Sequence, residues 1–533
     1  MGFLLEVPVE CLQSPAELGA WRARQRRPVH FVPTMGALHQ GHGRLIRRAG
    51  EPRGGPEPLV VVSVYVNPLQ FGPSEDFDRY PRDLEADRAL AAAAGAHLLW
   101  APSVADMLPG GAAAITRLVP PTALQQVLCG RSRPGHFDGV ATVVARLLTL
   151  VRPQRLLLGE KDWQQLVILR RLVADLGLPV VVEGVATVRD GDGLASSSRN
   201  RYLSPAQRAQ ALALPHALAA ARLQWQQSLE EGRPIAATAL LAGTRQRLEA
   251  AQLTVDYVEL VAARTLEPLA PVARPPAGLA LLAGAVHCGP SRLIDHTFLM
   301  RRAPIVAIDG PAGAGKSTVT KAFARRLGLI YLDTGAMYRA LTWWVQRQGA
   351  DPVDAAAVEP LLAGLDLQLG AGEQGEQQVW INGHDVTEAI RSPDVTAQVS
   401  LVAAHGCVRQ ALTAQQQAMG QRGGLVAEGR DIGTAVFPDA ELKVFLTATP
   451  AERARRRARD LQERGFAVPP LQELEAQIAE RDRLDSSREV APLQMAADAV
   501  ELVTDGMGIE VVIQELVDLF RGRVPEEAWP GPA

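Results

Sequence analysis

The feature that most constrains the fold is a strand that runs without a break into a glycine-rich turn. Residues 304–310 read PIVAIDG, residues 310–317 read GPAGAGKS, and an amphipathic stretch follows at once. The turn fits GxxxxGK[ST] without a gap. Strand, Gly-rich loop and helix start in that order make a phosphate cradle. Gly310, Gly313 and Gly315 let backbone N–H groups wrap phosphate oxygens, with Pro311, Ala312, Ala314 and Thr318 completing the loop. Lys316 adds a point charge for the β and γ phosphates, and the Ser317 hydroxyl suits Mg²⁺. The second half of the chain must therefore build a nucleotide-binding α/β domain on a parallel sheet.

The chain has 533 residues, enough for two to four domains. With 47% hydrophobic and 21% charged residues it cannot be disordered as a whole, and a net charge of −3 leaves no general basic footprint for nucleic acid. Of its 55 basic residues only Lys161, Lys316, Lys321 and Lys443 are lysine. Where Arg serves as the generic cation, a retained Lys is worth inspecting as a candidate for a tight site, against chance as the plain alternative. Lys161 and Lys316 fall in phosphate-handling motifs, whereas Lys321 and Lys443 carry no such context. Cys11, Cys129, Cys288 and Cys407 are too scattered for a disulfide framework or a zinc site. MGFLLEVPVE lacks the charge and apolar run of a signal peptide, and Glu6 stands where a myristoylation motif needs Ser or Thr. With no uncharged apolar stretch long enough to span a bilayer, a reducing cytoplasm is the expected compartment.

Strand-length apolar runs alternate with helical patterns. HFVPT (30–34), LVVVSVYV (59–66), RLLLG (155–159) and VVVEGVATV (180–188) read as strands; 139–151 and 163–177 read as helices. From about Ser204 to Pro290 the sequence turns Ala/Leu/Gln-rich, predicting a small helical subdomain with a few short strands. The expected division is 1–296, with its catalytic part at 1–203 and the subdomain at 204–296, followed by 297–533. QVWINGHDV (378–386) reads as a hairpin turning at Asn382-Gly383. The tail EEAWPGPA is expected to fray.

After the phosphate loop come LDTGAMYRA (332–340), EGRDIGTAVFPDA (428–440), and the Arg-rich stretches ERARRRARD (452–460) and RDRLDSSR (481–488). Phosphoryl transfer needs cations that close over the moving group, which an Arg-rich lid supplies, although ERARRRARD alone also reads as a solvated helix face. Together with NGHDVTEAIRSPDV and VRQAL, these motifs make 304–522 similar to bacterial cytidylate kinase. The resemblance implies a P-loop nucleoside monophosphate kinase domain that moves the ATP γ-phosphate to CMP or dCMP. It places Thr334, Arg409, Arg430, Asp431, Arg481, Asp485 and Arg488 around the pyrimidine nucleotide.

In the first half, PTMGALHQGHGRLI (33–46) sets His39 and His42 three residues apart just after a strand. They share a helix face where the positive helix end attracts phosphate. Two imidazoles there can steady an α-phosphate while pyrophosphate leaves. VSVYVNPLQFG (62–72) ends its strand with Asn67 and Gln70; GEKDWQQL (159–166) brings Lys161; DGLASSSRN (192–200) offers three hydroxyls and Arg199. Polar clusters at the carboxyl ends of parallel strands converge on one crevice.

With RPGHFDGVATVV and SRLID, residues 1–296 resemble pantothenate synthetase, within the wider group of HxGH nucleotidyltransferases with a Rossmann-like domain. The resemblance implies ATP-dependent adenylation of pantoate, then attack by the β-alanine amine. It assigns ATP to Met35, Gly36, Ala37, Leu38, His39, Gln40, Gly41 and His42, with His42 near the leaving phosphate. Gly159, Glu160, Lys161 and Asp162 join them at nucleotide and Mg²⁺, as do Val188, Ser196, Ser197, Ser198 and Arg199. Gln70 and Gln165 would hold pantoate, with Asn67 alongside. Relatives often carry an apolar residue at Ser196.

The leading expectation is one chain carrying two enzymes that act on small molecules and not on nucleic acid or membranes, dimerising through the first half. Two others stand beside it: that one half is a nucleotide-sensing module, and that the first half adenylates a mononucleotide or an amino acid for tRNA.

Overall fold

The computed structural model describes residues 9–532 apart from 74, 234, 270–277, 372–376, 464, 466 and 489. Residues 1–8, which include Glu6 and most of the stretch read for a leader, lie outside the described residues. The chain forms two compact units: Met1–Arg301 with Val524–Pro530, and Arg302–Arg523 with Gly531–Ala533.

The first unit is built on a parallel sheet. Its strands are β1 (Glu10–Leu12), β2 (Val29–Thr34), β3 (Leu59–Val64), β4 (Leu98–Trp100), β5 (Arg155–Gly159) and β6 (Val181–Val185), in the order β1-β4-β3-β2-β5-β6. β3 is buried almost throughout, which is why LVVVSV reads as an unbroken apolar run. The helix Gln40–Ala49 covers one face with Leu45 and Ile46; the helices His136–Val151 and Trp163–Asp175 cover the other through Phe137, Leu147, Leu166 and Leu169. The strand order reverses between β2 and β5, and ligands bind at such a switch point. The loops that begin at Met35 and Glu160 leave from the carboxyl ends of those two strands.

The subdomain departs from expectation. Its strands β7 (Thr254–Ala262), β8 (Ala280–Cys288) and β9 (Ser291–Leu299) are nine residues each and form an antiparallel meander. β8 is buried on both faces, so ALLAGAVHC lacks the alternation that marks a half-buried strand. The helices Ala213–Glu230 and Ala237–Ala250 pack Leu214, Leu218, Trp225 and Leu240 against it. Likewise β6 stops at Val185, three residues short of expectation. Its last pairing is with Gly159, and the chain then leaves the sheet. Over Val524–Pro530 the expected fraying is not seen, for that segment packs with the first unit; Ala533 lies outside the described residues.

The second unit carries β10 (Ile305–Asp309), β11 (Ile330–Asp333), β15 (Leu425–Glu428), β16 (Leu442–Thr447) and β17 (Val500–Val503). They form a parallel sheet ordered β11-β15-β10-β16-β17. A separate antiparallel sheet holds β12 (Leu367–Ala371), β13 (Gln377–Ile381) and β14 (His384–Asp385). Asn382 and Gly383 turn the expected hairpin with φ of +49° and +78°, both in the left-handed region. Lys443, given no role from sequence, is buried on β16, where Nζ donates to the Pro438 carbonyl (2.6 Å) and to Asp498 (2.8 Å). Among the described residues no helix is long and apolar enough to cross a membrane.

Candidate active sites

In the first unit the residues after β2 are locked by a carboxylate. Asp87, 2% exposed, accepts the N–H groups of Ala37 (3.0 Å) and Leu38 (2.7 Å), and Thr34 Oγ1 accepts that of Gly36 (3.2 Å). This holds Ala37 at φ +51°. Sequence reasoning missed Asp87, because nothing at position 87 points fifty residues back.

The loop delivers two imidazoles to the start of the helix Gln40–Ala49. His39 is the cap itself, rather than a residue within the helix: its Nδ1 accepts the Gly41 N–H (3.1 Å). His42 Nδ1 accepts the His39 N–H (3.2 Å), and the ring centroids lie 4.2 Å apart. With both Nδ1 atoms accepting, each neutral ring carries its proton on Nε2. Burial, then nearby Lys161, lowers His39 to about 4; burial, then His39, lowers His42 to about 3. The pair is thus two neutral N–H donors at a positive helix end, where an anion binds without a proton changing hands.

Gln40 Nε2 donates to Asp190 (2.9 Å) and to Ser196 Oγ (3.0 Å), and Ser196 Oγ donates to Asp190 (2.5 Å). Ser196 therefore ties its loop to the helix start. Ser197 Oγ accepts the Arg199 N–H (3.3 Å), and Ser198 Oγ meets Tyr80 at 3.3 Å. Arg199 forks onto Asp76. Lys161, Asp162, Gln165, Ser197 and Arg199 line one cavity, together with Arg133, His136, Arg292 and His296. The subdomain supplies Arg292 and His296, neither of which was singled out beforehand.

Gln70 is placed through its neighbours. His136 Nδ1 (2.8 Å) and Arg133 Nη2 (3.3 Å) hold its carbonyl. Buried Asn67 donates to Gln70 Oε1 and to the Gly139 carbonyl, each at 3.1 Å, and Gln70 Nε2 reaches Met35 Sδ. Asn67 thus aims Gln70. Arg133 and His136 belong to RPGHFDG, a motif visible in the sequence without an assigned role. Of the residues chosen from sequence only Lys161, Asp162, Gln165, Ser197 and Arg199 line this cavity; the loop Met35–His42, Asn67, Gln70, Gly159, Ser196 and Ser198 lie outside its lining, as do Val188, whose carbonyl accepts the Ser196 N–H, and Glu160. The Glu160 carboxylate is 1% exposed and accepts the backbone N–H groups of Glu526 and Glu527.

In the second unit Gly310 takes φ +148°, where a Cβ would stand 2.0 Å from the Leu446 carbonyl oxygen. Gly315, at φ +84°, caps the helix Lys316–Leu327. Lys316 Nζ donates to the carbonyls of Gly310 (2.7 Å) and Pro311 (2.9 Å). Burial, then Arg430, lowers its ammonium to about 8. Asp309, raised to about 6 chiefly by burial, accepts the N–H groups of Ile432 (2.8 Å) and Gly433 (2.7 Å). It thereby fixes the DIGT segment beside the phosphate loop. Arg453 and Arg456, left between lid and solvated face by the sequence, donate to the loop carbonyls of Ala312 (3.2 Å) and Ala314 (3.0 Å).

Next to the loop, Thr334, Arg409, Arg430, Asp431, Arg481 and Arg488 line a second cavity, joined by Tyr338 and Arg339. Thr334 Oγ1 donates to the Glu428 carbonyl (2.7 Å). Arg409 pairs with Asp431, while Arg430 and Arg488 both pair with Asp485, which is fully buried beneath the lining. Burial, then Arg430, lowers Arg481 to about 10. Converging guanidiniums held on buried carboxylates make a rigid, bidentate receptor for phosphate.

Ser317 Oγ donates to Glu428 Oε1 (2.5 Å), and Tyr331 stands beside the same buried carboxylate. A hydroxyl and a carboxylate side by side are hard oxygen donors of the kind Mg²⁺ takes.

Comparison with known proteins bears on the family of each half. A family model described as pantoate-beta-alanine ligase matches residues 10–298, and one described as cytidylate kinase matches 306–522. The chain is 67% identical over 511 residues to the bifunctional pantoate ligase/cytidylate kinase of Prochlorococcus marinus (strain MIT 9313), covering 96% of this chain and 99% of that one. It is 66% identical over 522 residues to the protein of the same description from Parasynechococcus marenigrum (strain WH8102), covering 98% and 100%. The crystal structure of pantothenate synthetase from Thermus thermophilus matches 54% of this chain and 98% of that one, at 48% identity and a TM-score of 0.49. With both family models matched in order and such relatives spanning nearly its whole length, the chain belongs to the bifunctional pantoate ligase/cytidylate kinase family.

Proposed function

We propose that the first unit adenylates pantoate and the second phosphorylates CMP or dCMP, each at the site described above. Pantoate, held by Gln70 and Gln165, attacks the ATP α-phosphorus through its carboxylate, and pyrophosphate leaves. The neutral Nε2–H groups of His39 and His42, with Lys161, stabilise charge on the transferring and departing phosphates. The β-alanine amine then attacks the acyl carbon, AMP departs with the bonding pair, and the amine proton passes to solvent. The adenylate is already activated, so positioning supplies the rate and no protein nucleophile is needed. The observation that carries this reading is the imidazole pair whose Nδ1 atoms are both spent on backbone N–H groups.

In the second unit a CMP phosphate oxygen attacks the γ-phosphorus and ADP leaves. Arg409, Arg430, Arg481 and Arg488 hold the acceptor phosphate, and Lys316 the β and γ phosphates. Mg²⁺ fits at Ser317 and Glu428, and at Asp162 in the ligase, where it would neutralise phosphate charge. The expected boundary at 296/297 would cut β9, so we place it after that strand, between Arg301 and Arg302; we place the protein in the cytoplasm and a homodimer contact in the first half. The four unpaired cysteines support a reducing compartment.

Phosphorus NMR of ATP with pantoate, β-alanine and CMP, each acceptor omitted in turn, tests both assignments. AMP and pyrophosphate must depend on pantoate and β-alanine, and ADP and CDP on CMP. Formation of AMP with another acid, and not with pantoate, would overturn the ligase substrate.

A further inference from the structure

The segment Val524–Pro530 plays no part in either reaction as derived, yet it is firmly seated. Val524 is 2% exposed, Ala528 packs on the apolar core of the first unit, and the Trp529 N–H closes a turn onto the Pro525 carbonyl (3.1 Å). The N–H groups of Glu526 and Glu527 donate to Glu160 Oε1 (2.8 Å) and Oε2 (2.9 Å). In return the Glu526 carboxylate accepts the Ala186 N–H (3.1 Å), and the Glu527 carboxylate accepts the Thr187 N–H (2.7 Å). Glu526 also pairs with Arg44 at 2.9 Å, and Glu527 lies 3.5 Å from His296 Nε2.

These contacts fall beside the nucleotide residues. Glu160 lies between Gly159 and Lys161. Ala186 and Thr187 lead into Val188, whose carbonyl accepts the Ser196 N–H (2.9 Å). Arg44 lies two positions after His42. The chain has left the sheet at Val185, so no neighbouring strand takes up the amides of residues 186 and 187. The two glutamates satisfy them, and the segment's own amides satisfy Glu160. The exchange is reciprocal: it joins the turn after β5, the exit from β6 and the histidine-bearing helix. Burial, then Glu527, pushes Glu160 up to about 7, as expected of a carboxylate sealed from water by this segment.

We propose that Glu526 and Glu527 are positioning residues of the ligase: the C-terminal segment braces the two loops that hold ATP. This rests on the placement of ATP at Gly159–Asp162 and Val188. No residue of the segment lines the cavity that holds Lys161, Gln165 and Arg199, so its expected signature is a change in ATP affinity.

The test uses full-length protein carrying E526A/E527A, the matching E526Q/E527Q, and a chain ended after Arg523. Steady-state ATP KM and kcat for pantothenate formation are measured well below the melting temperature, with CDP formation in the same samples as a folding control. The Ala pair is expected to raise the ligase ATP KM by about tenfold, as befits two lost bonds to charged acceptors. Pantoate KM and CDP formation should stay as in the parent. The Gln pair keeps an acceptor oxygen at each position and should recover most of the loss. The shortened chain should show at least the Ala-pair effect, partly reversed by a synthetic peptide of residues 524–533. An unchanged ATP KM in the Ala pair and the shortened chain overturns the proposal, even if both melt earlier, because bracing would then be structural only. A fall in ATP KM overturns it too, since the segment would be occluding the site. Parent protein without pantoate-dependent pyrophosphate formation would instead sink the underlying ligase reading.

Discussion

Gly139 offers a stringent test of how Gln70 is aimed. It lies in the helix His136–Val151, facing the turn that ends at Gln70. A Cβ there would meet the Leu69 carbonyl oxygen at 2.2 Å, its carbon at 2.4 Å and the Gln70 nitrogen at 2.8 Å. All three are backbone atoms, so no rotamer relieves the clash and the turn must retreat by about an ångström. Elsewhere in a helix interior Gly→Ala gains ~0.5–1 kcal/mol. Here overpacking should reverse the sign and cost ~1–3 kcal/mol. The retreat also stretches the bonds that fix Gln70, from Asn67 to the Gly139 carbonyl and from His136 to the Gln70 carbonyl. Misplacing a substrate-holding amide by ~1 Å can cost up to ~10²-fold. Gly139→Ala should therefore melt earlier and lose pantothenate kcat/KM chiefly through pantoate, while CDP formation is kept. A variant that melts at or above the parent temperature with parental pantoate kinetics would refute this account of Gln70.

Lys316→Ala should reduce CDP formation by roughly 10²-fold or more, as expected when a phosphate-binding cation is lost, while pantothenate formation holds; equal loss of both rates would contradict separate sites. Asp485→Ala leaves Arg430 and Arg488 without their shared buried carboxylate and should destabilise the second unit by ~3 kcal/mol, read by thermal melting, and raise the CMP KM. A parental CMP KM would show that the arginine cradle does not depend on it. The histidine pair sets a pH dependence: with folded values of about 4 and about 3 against 6.5 ordinarily, the folded state binds fewer protons than the unfolded chain between those limits. Their contribution to stability is full above about 6.5 and drains away as pH falls towards 4 and then 3. NMR titration of the ring Cε1–H signals checks it, and a midpoint near 6.5 for either ring would contradict their burial as neutral donors.

What the sequence disclosed follows a physical division. Phosphate-binding loops are local objects. Gly310, Gly313 and Gly315 must adopt their conformations within a few residues of Lys316, and His39 and His42 cap their helix through bonds spanning two or three positions. Such groups leave a readable spacing, and the kinase cavity gathers six of the seven residues chosen for it, with Asp485 directly beneath. β8 was illegible for the opposite reason: burial on both faces erases the alternation that betrays a strand.

The residues that hold those loops in register are paired at long range, and there the sequence is mute. Asp87 serves Ala37 and Leu38 from fifty positions away, His136 serves Gln70 from sixty-six, and Glu526 serves Ala186 from 340. None lies in a spacing that a local rule could detect, and each is a carboxylate or imidazole taking up a backbone group that would otherwise be buried unpaired. Leaving one such group unsatisfied costs ~1–3 kcal/mol, as much as a large part of a domain's net stability. A loop that must present its N–H groups to a phosphate cannot spend all of them on its own sheet, so distant acceptors must fix its remaining ones. On this argument the acidic pair near the end of the chain is the same device as Asp87, supplied from the far terminus: one orders the loop that carries the histidines, the other the loops that flank Lys161 and Val188.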